Sequence, residues 1–230
     1  MNNPAKTALE ITHFSDVLCV WAYISQVRVS ELESNFPGQL HFDYRFLRVF
    51  GDVPGKIATQ WAGRGGVAAY ADHVQEVAGQ FEHIELHADV WRSNTPSSSL
   101  PAHLLLCAVR RIESDSGADE HVGLTKRVLL ALRHAFFVNL VDISRRTELL
   151  AVAEEAGAPI AVVEQLLNNG IAYSVLAADL AAAAEQSVRT SPTIIFNEGR
   201  QVMAGNVGYR VLESNVRELL LNLVDQHSWC

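Results

Sequence analysis

Residues 9–47 hold two strand-like runs with one helical run between them, and this arrangement constrains the chain more than any other stretch of it. Leu9 and Ile11 alternate with polar neighbours ahead of Phe14, and Ser15-Asp16 breaks the run. From Cys19 onward, Trp21, Ile24, Val27, Leu32 and Phe36 recur near helical spacing until Pro37-Gly38 ends the pattern. Phe42, Tyr44 and Phe46 then alternate with His41, Asp43 and Arg45. Strand, helix and strand in that order predict a β-α-β unit, in which the helix carries the chain back so that the strands pair in parallel. Cys19 falls at the first strand-to-helix turn.

Between residues 51 and 170 the periodicity becomes helical, with separate amphipathic segments at 100–112, 122–137 and 147–156. Turns are supplied by Gly63-Arg64-Gly65-Gly66, Asn94-Thr95-Pro96-Ser97, Gly117 and Gly157-Ala158-Pro159. An alanine-rich helix at 172–185 follows, then strand-like runs at 190–196 and 201–205 joined by Asn197-Glu198-Gly199-Arg200, a hairpin signal, and a last helix at 209–225. The sum is β-α-β, a helical stretch, then α-β-β-α. This predicts an α/β chain with a thioredoxin-like fold and an inserted all-helical domain. Residues 1–50 and 171–230 form the two parts of the thioredoxin-like domain, and 51–170 form the insertion.

Composition limits the partners. With 49% hydrophobic residues in 230, the chain can bury a substantial core. Its 18 basic against 26 acidic residues give a net charge of -8, which repels a polyanion, so no nucleic acid is expected. The start, Met1-Asn2-Asn3-Pro4-Ala5-Lys6, shows no secretory pattern. The most apolar region, 160–184, is interrupted by Glu164, Gln165, Asn168, Asn169, Gly170 and Asp179, so no membrane span is expected either. The expected location is the cytoplasm, where disulfide frameworks are rare. No Cys/His cluster has metal-ligand spacing, although nine histidines are scattered along the chain, and no metal is expected.

The chemistry then rests on single cysteines. A thiol at a helix start faces unpaired N–H groups and the positive end of the helix dipole, which favour thiolate. Thiols so placed drop from about 8.5 to between about 3.5 and 7.5, so the Cys19 value is expected to fall. Cys107 lies in an apolar run, Leu104-Leu105-Leu106-Cys107-Ala108-Val109, and reads as core. Cys230 closes the chain and reads either as a frayed end or as a distant partner for Cys19. His103, between apolar neighbours, reads as a satisfied buried histidine, and Gly63-Arg64-Gly65-Gly66 as a turn rather than a phosphate loop.

Ser15-Asp16-Val17-Leu18-Cys19-Val20-Trp21-Ala22-Tyr23 resembles the Ser-Asp-x-x-Cys-Pro-Trp-Cys-Tyr segment of the DsbA-like family, FrnE-type oxidoreductases included. Pro101-Ala102-His103-Leu104, the stretch from Ala135-Phe136-Phe137 to Asp142-Ile143-Ser144, and residues 188–205 agree with it. The resemblance extends to 2-hydroxychromene-2-carboxylate isomerases and kappa-class glutathione transferases. It implies a cis-proline at Pro192 and a partner held by the backbone of Thr190 and Ser191. It also implies a γ-glutamyl end near Gly205 and Asn206, and His103 facing the active-site groove. Trp21, beside the cysteine, reads equally as lining a substrate groove or as packing. Ser15 and Asp16 flank the turn as further candidates.

The departure from the motif is Ala22, which stands where the second cysteine would be. No local disulfide can form, so a mixed disulfide at Cys19 needs an external thiol or a distant cysteine to resolve it. The resemblance therefore implies a thiol-disulfide oxidoreductase with one active-site cysteine, acting on small or protein disulfides or on glutathione mixed disulfides. No tightly bound cofactor is expected, glutathione is the candidate co-substrate, and a homodimer is a candidate assembly. A glutathione-dependent isomerase or transferase and a non-catalytic binding protein are the alternatives.

Overall fold

The structure is a computed structural model that describes residues 8–116 and 123–221. Cys230, Val122 and residues 222–225 of the expected last helix lie outside the described residues. A four-stranded sheet runs in the order β2-β1-β3-β4, built from β1 (Leu9–Ser15), β2 (Leu40–Phe46), β3 (Thr193–Phe196) and β4 (Gln201–Ala204). β1 and β2 are parallel, with α1 (Val20–Asn35) between them in sequence, as the β-α-β reading requires. β3 is antiparallel to both β1 and β4. The β3–β4 turn uses positive φ at Asn197, Glu198 and Gly199, which the short polar and glycine residues there tolerate better than most others. The last helix, α9, is described over Tyr209–Leu220.

The alternation read from the sequence sorts the two sheet faces. Ile11, His13, Tyr44, Phe46, Ile194 and Phe196 share one face, and their apolar members join the main core. Phe14 and Ile195 share the other, with Ala183 and Val188 packed on them. α1 ends at Phe36, where Pro37 and a positive φ at Gly38 stop it.

The described elements between residues 53 and 185 are all helices, more divided than the sequence pattern suggests. α2 (Val53–Gln60) and α3 (Gly66–Ala78) lie ahead of the expected helical segments and were not among them. α4 (Leu100–Asp115), α5 (Leu124–Phe137) and α6 (Arg146–Glu155) match the expected segments. The apolar region after 160 splits at Asn169-Gly170 into α7 (Ile160–Asn168) and α8 (Ile171–Glu185), because Gly170 takes a positive φ. No single described helix is long and apolar enough to cross a membrane. α7 and α8 reach that length and apolarity only together, and they bend by 73°.

The open edge of β2 is covered by side chains rather than by a strand. Asp179 of α8 accepts the Phe46 N–H at 3.2 Å, and Arg110 of α4 donates to the Tyr44 carbonyl. The two side chains meet at 2.7 Å. A sheet edge left open exposes unpaired backbone groups, so this pair both closes the edge and locks α4 and α8 to the sheet. Asp179 is only 1% exposed. Removing one member of a buried pair strands the other, at about 3–5 kcal/mol. Urea unfolding of Asp179→Ala is expected to show a loss of about 3 kcal/mol or more; a loss under about 1 kcal/mol contradicts this account of the edge.

Candidate active site

Cys19 is the N-cap of α1, with extended φ/ψ and its side chain free of any cap bond. The turn that delivers it closes through Cys19 N–H to the Asp16 carbonyl at 3.1 Å, and the helix begins with Tyr23 N–H to the Cys19 carbonyl at 3.0 Å. The thiol donates to the Ser191 carbonyl at 3.2 Å. Ser191-Pro192 is a cis peptide bond, as the resemblance implied. β3 starts at Thr193, so Thr190, Ser191 and Pro192 form the loop before it. Thr190 is exposed and its carbonyl accepts the Thr193 hydroxyl at 2.7 Å.

Asp16 ties this site together. Its buried carboxylate accepts Leu18 N–H at 3.0 Å, Phe50 N–H at 2.7 Å and the Ser99 hydroxyl at 2.9 Å. Its own N–H donates to Ser191 Oγ at 2.9 Å. The turn, the end of the β2 connection, the start of α4 and the cis-proline loop are thereby fixed to one residue, the last of them through its backbone N–H.

His103 does not face the groove, as the resemblance implied; it is fully buried behind the turn. Its Nε2 accepts Val17 N–H at 3.1 Å, which places the ring proton on Nδ1. Burial lowers its pKa, against the pull of Asp16, so the 3.6 Å approach of His103 to Asp16 joins a neutral ring to a carboxylate rather than two ions. Ser15 Oγ accepts from Arg133 at 2.9 Å.

The expected fall of the Cys19 pKa is not what the surroundings produce. Cys19 is 6% exposed, and burial pushes its thiol up. The Ser191 side chain and the N–H groups of Ala22 and Trp21 pull it down, while the Asp16 charge pushes it up further. The helix-start effect is therefore present, but desolvation outweighs it. Ala22 is fully buried in the first turn. Cys107 is buried on α4, where its thiol donates to Asp179 at 3.8 Å and is pushed far up by burial, so it is not placed to resolve a disulfide at Cys19.

Trp21 is half-buried, edge-on to Phe81 at 6.2 Å. Gly205 N–H donates to the Pro192 carbonyl at 2.8 Å, which sets Gly205 and Asn206 beside the proline loop. The Asn206 side chain accepts from Arg28 of α1. Ser99, Phe50, Arg28 and Arg133 were missed by sequence reasoning. Arg133 left a signal there: it stands among Leu129, Leu132, Phe136 and Phe137, on the buried face of α5. It is 1% exposed, and burial lowers it to about 10, against the pull of the Cys19 and Asp16 charges. A larger cavity of about 690 Å³, lined by Leu40, Phe42, Arg110 and Lys126 among others, lies along β2 and contains none of these residues.

The same fold is found in solved structures. The chain superposes on a probable DsbA oxidoreductase of Streptomyces coelicolor with a TM-score of 0.71 at 17% identity, over 96% of this chain and 93% of that one. For the cytosolic disulfide reductase DsbM of Pseudomonas aeruginosa the TM-score is 0.64 at 17% identity, over 94% and 98%. Among curated proteins, the ClpXP adapter protein SpxH of Bacillus licheniformis is 32% identical over 98 residues, 40% of this chain. The match spans only 32% of SpxH's own length. The DSBA-like thioredoxin domain family matches residues 10–217, nearly the whole chain, with the strand order, the Cys19 turn and the cis-proline loop all inside the match. The chain belongs to the DSBA-like thioredoxin domain family.

Proposed function

We propose that the protein is a thiol-disulfide oxidoreductase working with the single thiol of Cys19, on small or protein disulfides and on glutathione mixed disulfides. The observation that carries this reading is the placement of Cys19 at a helix start, 3.2 Å from the Ser191 carbonyl beside a cis-proline, with alanine where a second thiol would be. The Cys19 thiolate attacks one sulfur of the disulfide. A new S–S bond forms to Cys19, the old one breaks, and the other half leaves as a thiolate that takes up a proton. An external thiol, glutathione by this reading, then attacks the other sulfur of the mixed disulfide: a new S–S bond forms between glutathione and that half, the bond to Cys19 breaks, and Cys19 leaves as the thiolate. The reducing cytoplasm is the setting this cycle calls for, in keeping with the cytosolic DsbM.

A second reading, a partner-binding protein without turnover, is favoured by the upward push on the Cys19 thiol and by the likeness to an adapter protein. Replacing Cys19 separates the two. Cys19→Ser is expected to abolish glutathione-driven reduction of a glutathionylated peptide, measured as peptide thiol released. Unchanged turnover in that variant refutes the exchange reading, and residual action on electrophiles alone points to the glutathione-dependent isomerase or transferase.

The thiol's environment also sets a pH dependence. Below about 8.5, the ordinary thiol value, folded and unfolded chains both keep the Cys19 proton. Above it the unfolded chain ionises first, because burial holds the folded thiol higher, so the wild type loses stability relative to Cys19→Ser as pH rises. Paired thermal melts from neutral to alkaline pH read this directly. A wild type that gains on the variant at alkaline pH contradicts the burial account.

A further inference from the structure

A small cavity of about 10 Å³ lies between β1, β2, α1 and α5, lined by His13, Gln26, Val29, Tyr44 and Arg133 among others. His13 is 2% exposed and Arg133 1%. Buried polar atoms are nearly always hydrogen-bonded, because one left unbonded keeps its desolvation cost. Here Arg133 Nε and both ring nitrogens of His13 have no hydrogen-bond partner among the described residues. Trp91 Nε1, His103 Nδ1 and Thr125 Oγ1 are likewise unbonded there, but none of them lines this cavity. Arg133 and His13 are set apart by bringing unbonded atoms to one shared space.

The chemistry of the lining and its size both limit what fits. The other guanidinium nitrogens are bonded, Nη2 to Ser15 Oγ at 2.9 Å and Nη1 to Gln26 Oε1 at 3.5 Å, which leaves Nε–H as a donor in need of an acceptor. Burial and then Arg133 drive the His13 ring down to about 3, so at neutral pH it is uncharged and offers one acceptor nitrogen and one donor. Arg133 and Lys126, both lining the space, repel a cation. A space of about 10 Å³ is roughly one water-sized sphere, too small for a halide or a carboxylate. A buried water takes roughly two to four polar partners, which Arg133, His13 and Gln26 supply. Tyr44 and Lys126 line the larger cavity along β2 as well, so a water has a neighbouring space to enter from.

We propose that this cavity binds a single water, which accepts from Arg133 Nε–H and donates to the acceptor nitrogen of His13, with the Gln26 amide oxygen as a third partner. One water serves one of the two ring nitrogens. It fills the guanidinium nitrogen that has no other partner among the described residues. In doing so it steadies the Nη2 donor on Ser15, the residue before Asp16 in the Cys19 turn. The site is polar flooring beneath the thiol and stands whether or not Cys19 exchanges disulfides.

The test is a high-resolution crystal structure of the full chain, with a second set of crystals soaked in bromide. One density peak is expected in the cavity, about 2.7–3.2 Å from both Arg133 Nε and a His13 ring nitrogen, with no anomalous bromide signal there. An empty cavity overturns the proposal, and so does a bromide peak, which assigns the space to an anion. In solution, magnetisation transfer from water to the Arg133 Nε–H is read by nuclear magnetic resonance on the isotope-labelled full chain. Nuclear Overhauser and rotating-frame cross-peaks of opposite sign are expected, the signature of a bound water rather than of proton exchange. Tyr44→Phe, which removes the neighbouring hydroxyl, is expected to keep them, and His13→Phe, which removes the acceptor, to lose them. Cross-peaks of the same sign, none at all, loss in Tyr44→Phe or persistence in His13→Phe each overturn the water between Arg133 and His13.

Discussion

One buried carboxylate holds the site in register. Asp16 accepts from Leu18, Phe50 and Ser99 and donates its own N–H to Ser191, so segments distant in sequence converge on it. Each of these donors is buried, and each left without an acceptor costs about 1–3 kcal/mol. His103 takes the Val17 N–H, the next donor along the turn, but its own buried Nδ1 has no hydrogen-bond partner among the described residues, so the histidine expected to be satisfied is satisfied at one nitrogen only. The position of Cys19 against the cis-proline loop follows from these bonds, because Cys19 itself contributes only its own N–H and thiol to the arrangement.

The same enclosure that positions the thiol governs its ionisation. Two N–H groups of the helix start stabilise the thiolate, yet removal from water costs more than they return. The buried Arg133, bonded to Ser15 and facing no carboxylate at bonding distance among the described residues, supplies positive charge beneath the same turn. His13, beside it on β1, is driven down to about 3 by burial and then by Arg133, so it stays neutral and adds no second cation. The resting state is a protonated thiol donated to a carbonyl.

Local signals in the chain were legible wherever the structure depends on neighbours in sequence. The alternation of Phe42, Tyr44 and Phe46, the stop at Pro37-Gly38 and the Cys19 turn each reflect short-range preferences, and each stands where it was expected. The Ser191-Pro192 bond was legible through family resemblance instead. Contacts made across the fold were not legible. Nothing near Ser99 or Phe50 indicates that both bond to Asp16, and nothing near Arg28 indicates that it bonds to Asn206. The thiol's direction failed for the same reason: the helix start is a local feature, whereas burial is a property of the assembled site. α2 and α3 were missed because Pro54 and Gly55 in the first turn of α2, and Gly65 and Gly66 at the start of α3, read as turn signals.

The central claim is that one solitary thiol, held by the Asp16 network beside the cis-proline, is the reacting group. Peptide mapping by mass spectrometry, after the folded protein is incubated with oxidised glutathione, tests it most directly. The account predicts a glutathione adduct on the Cys19 peptide with Cys107 unmodified. An adduct on Cys107 in preference to Cys19, or no adduct on Cys19 in folded protein, contradicts it.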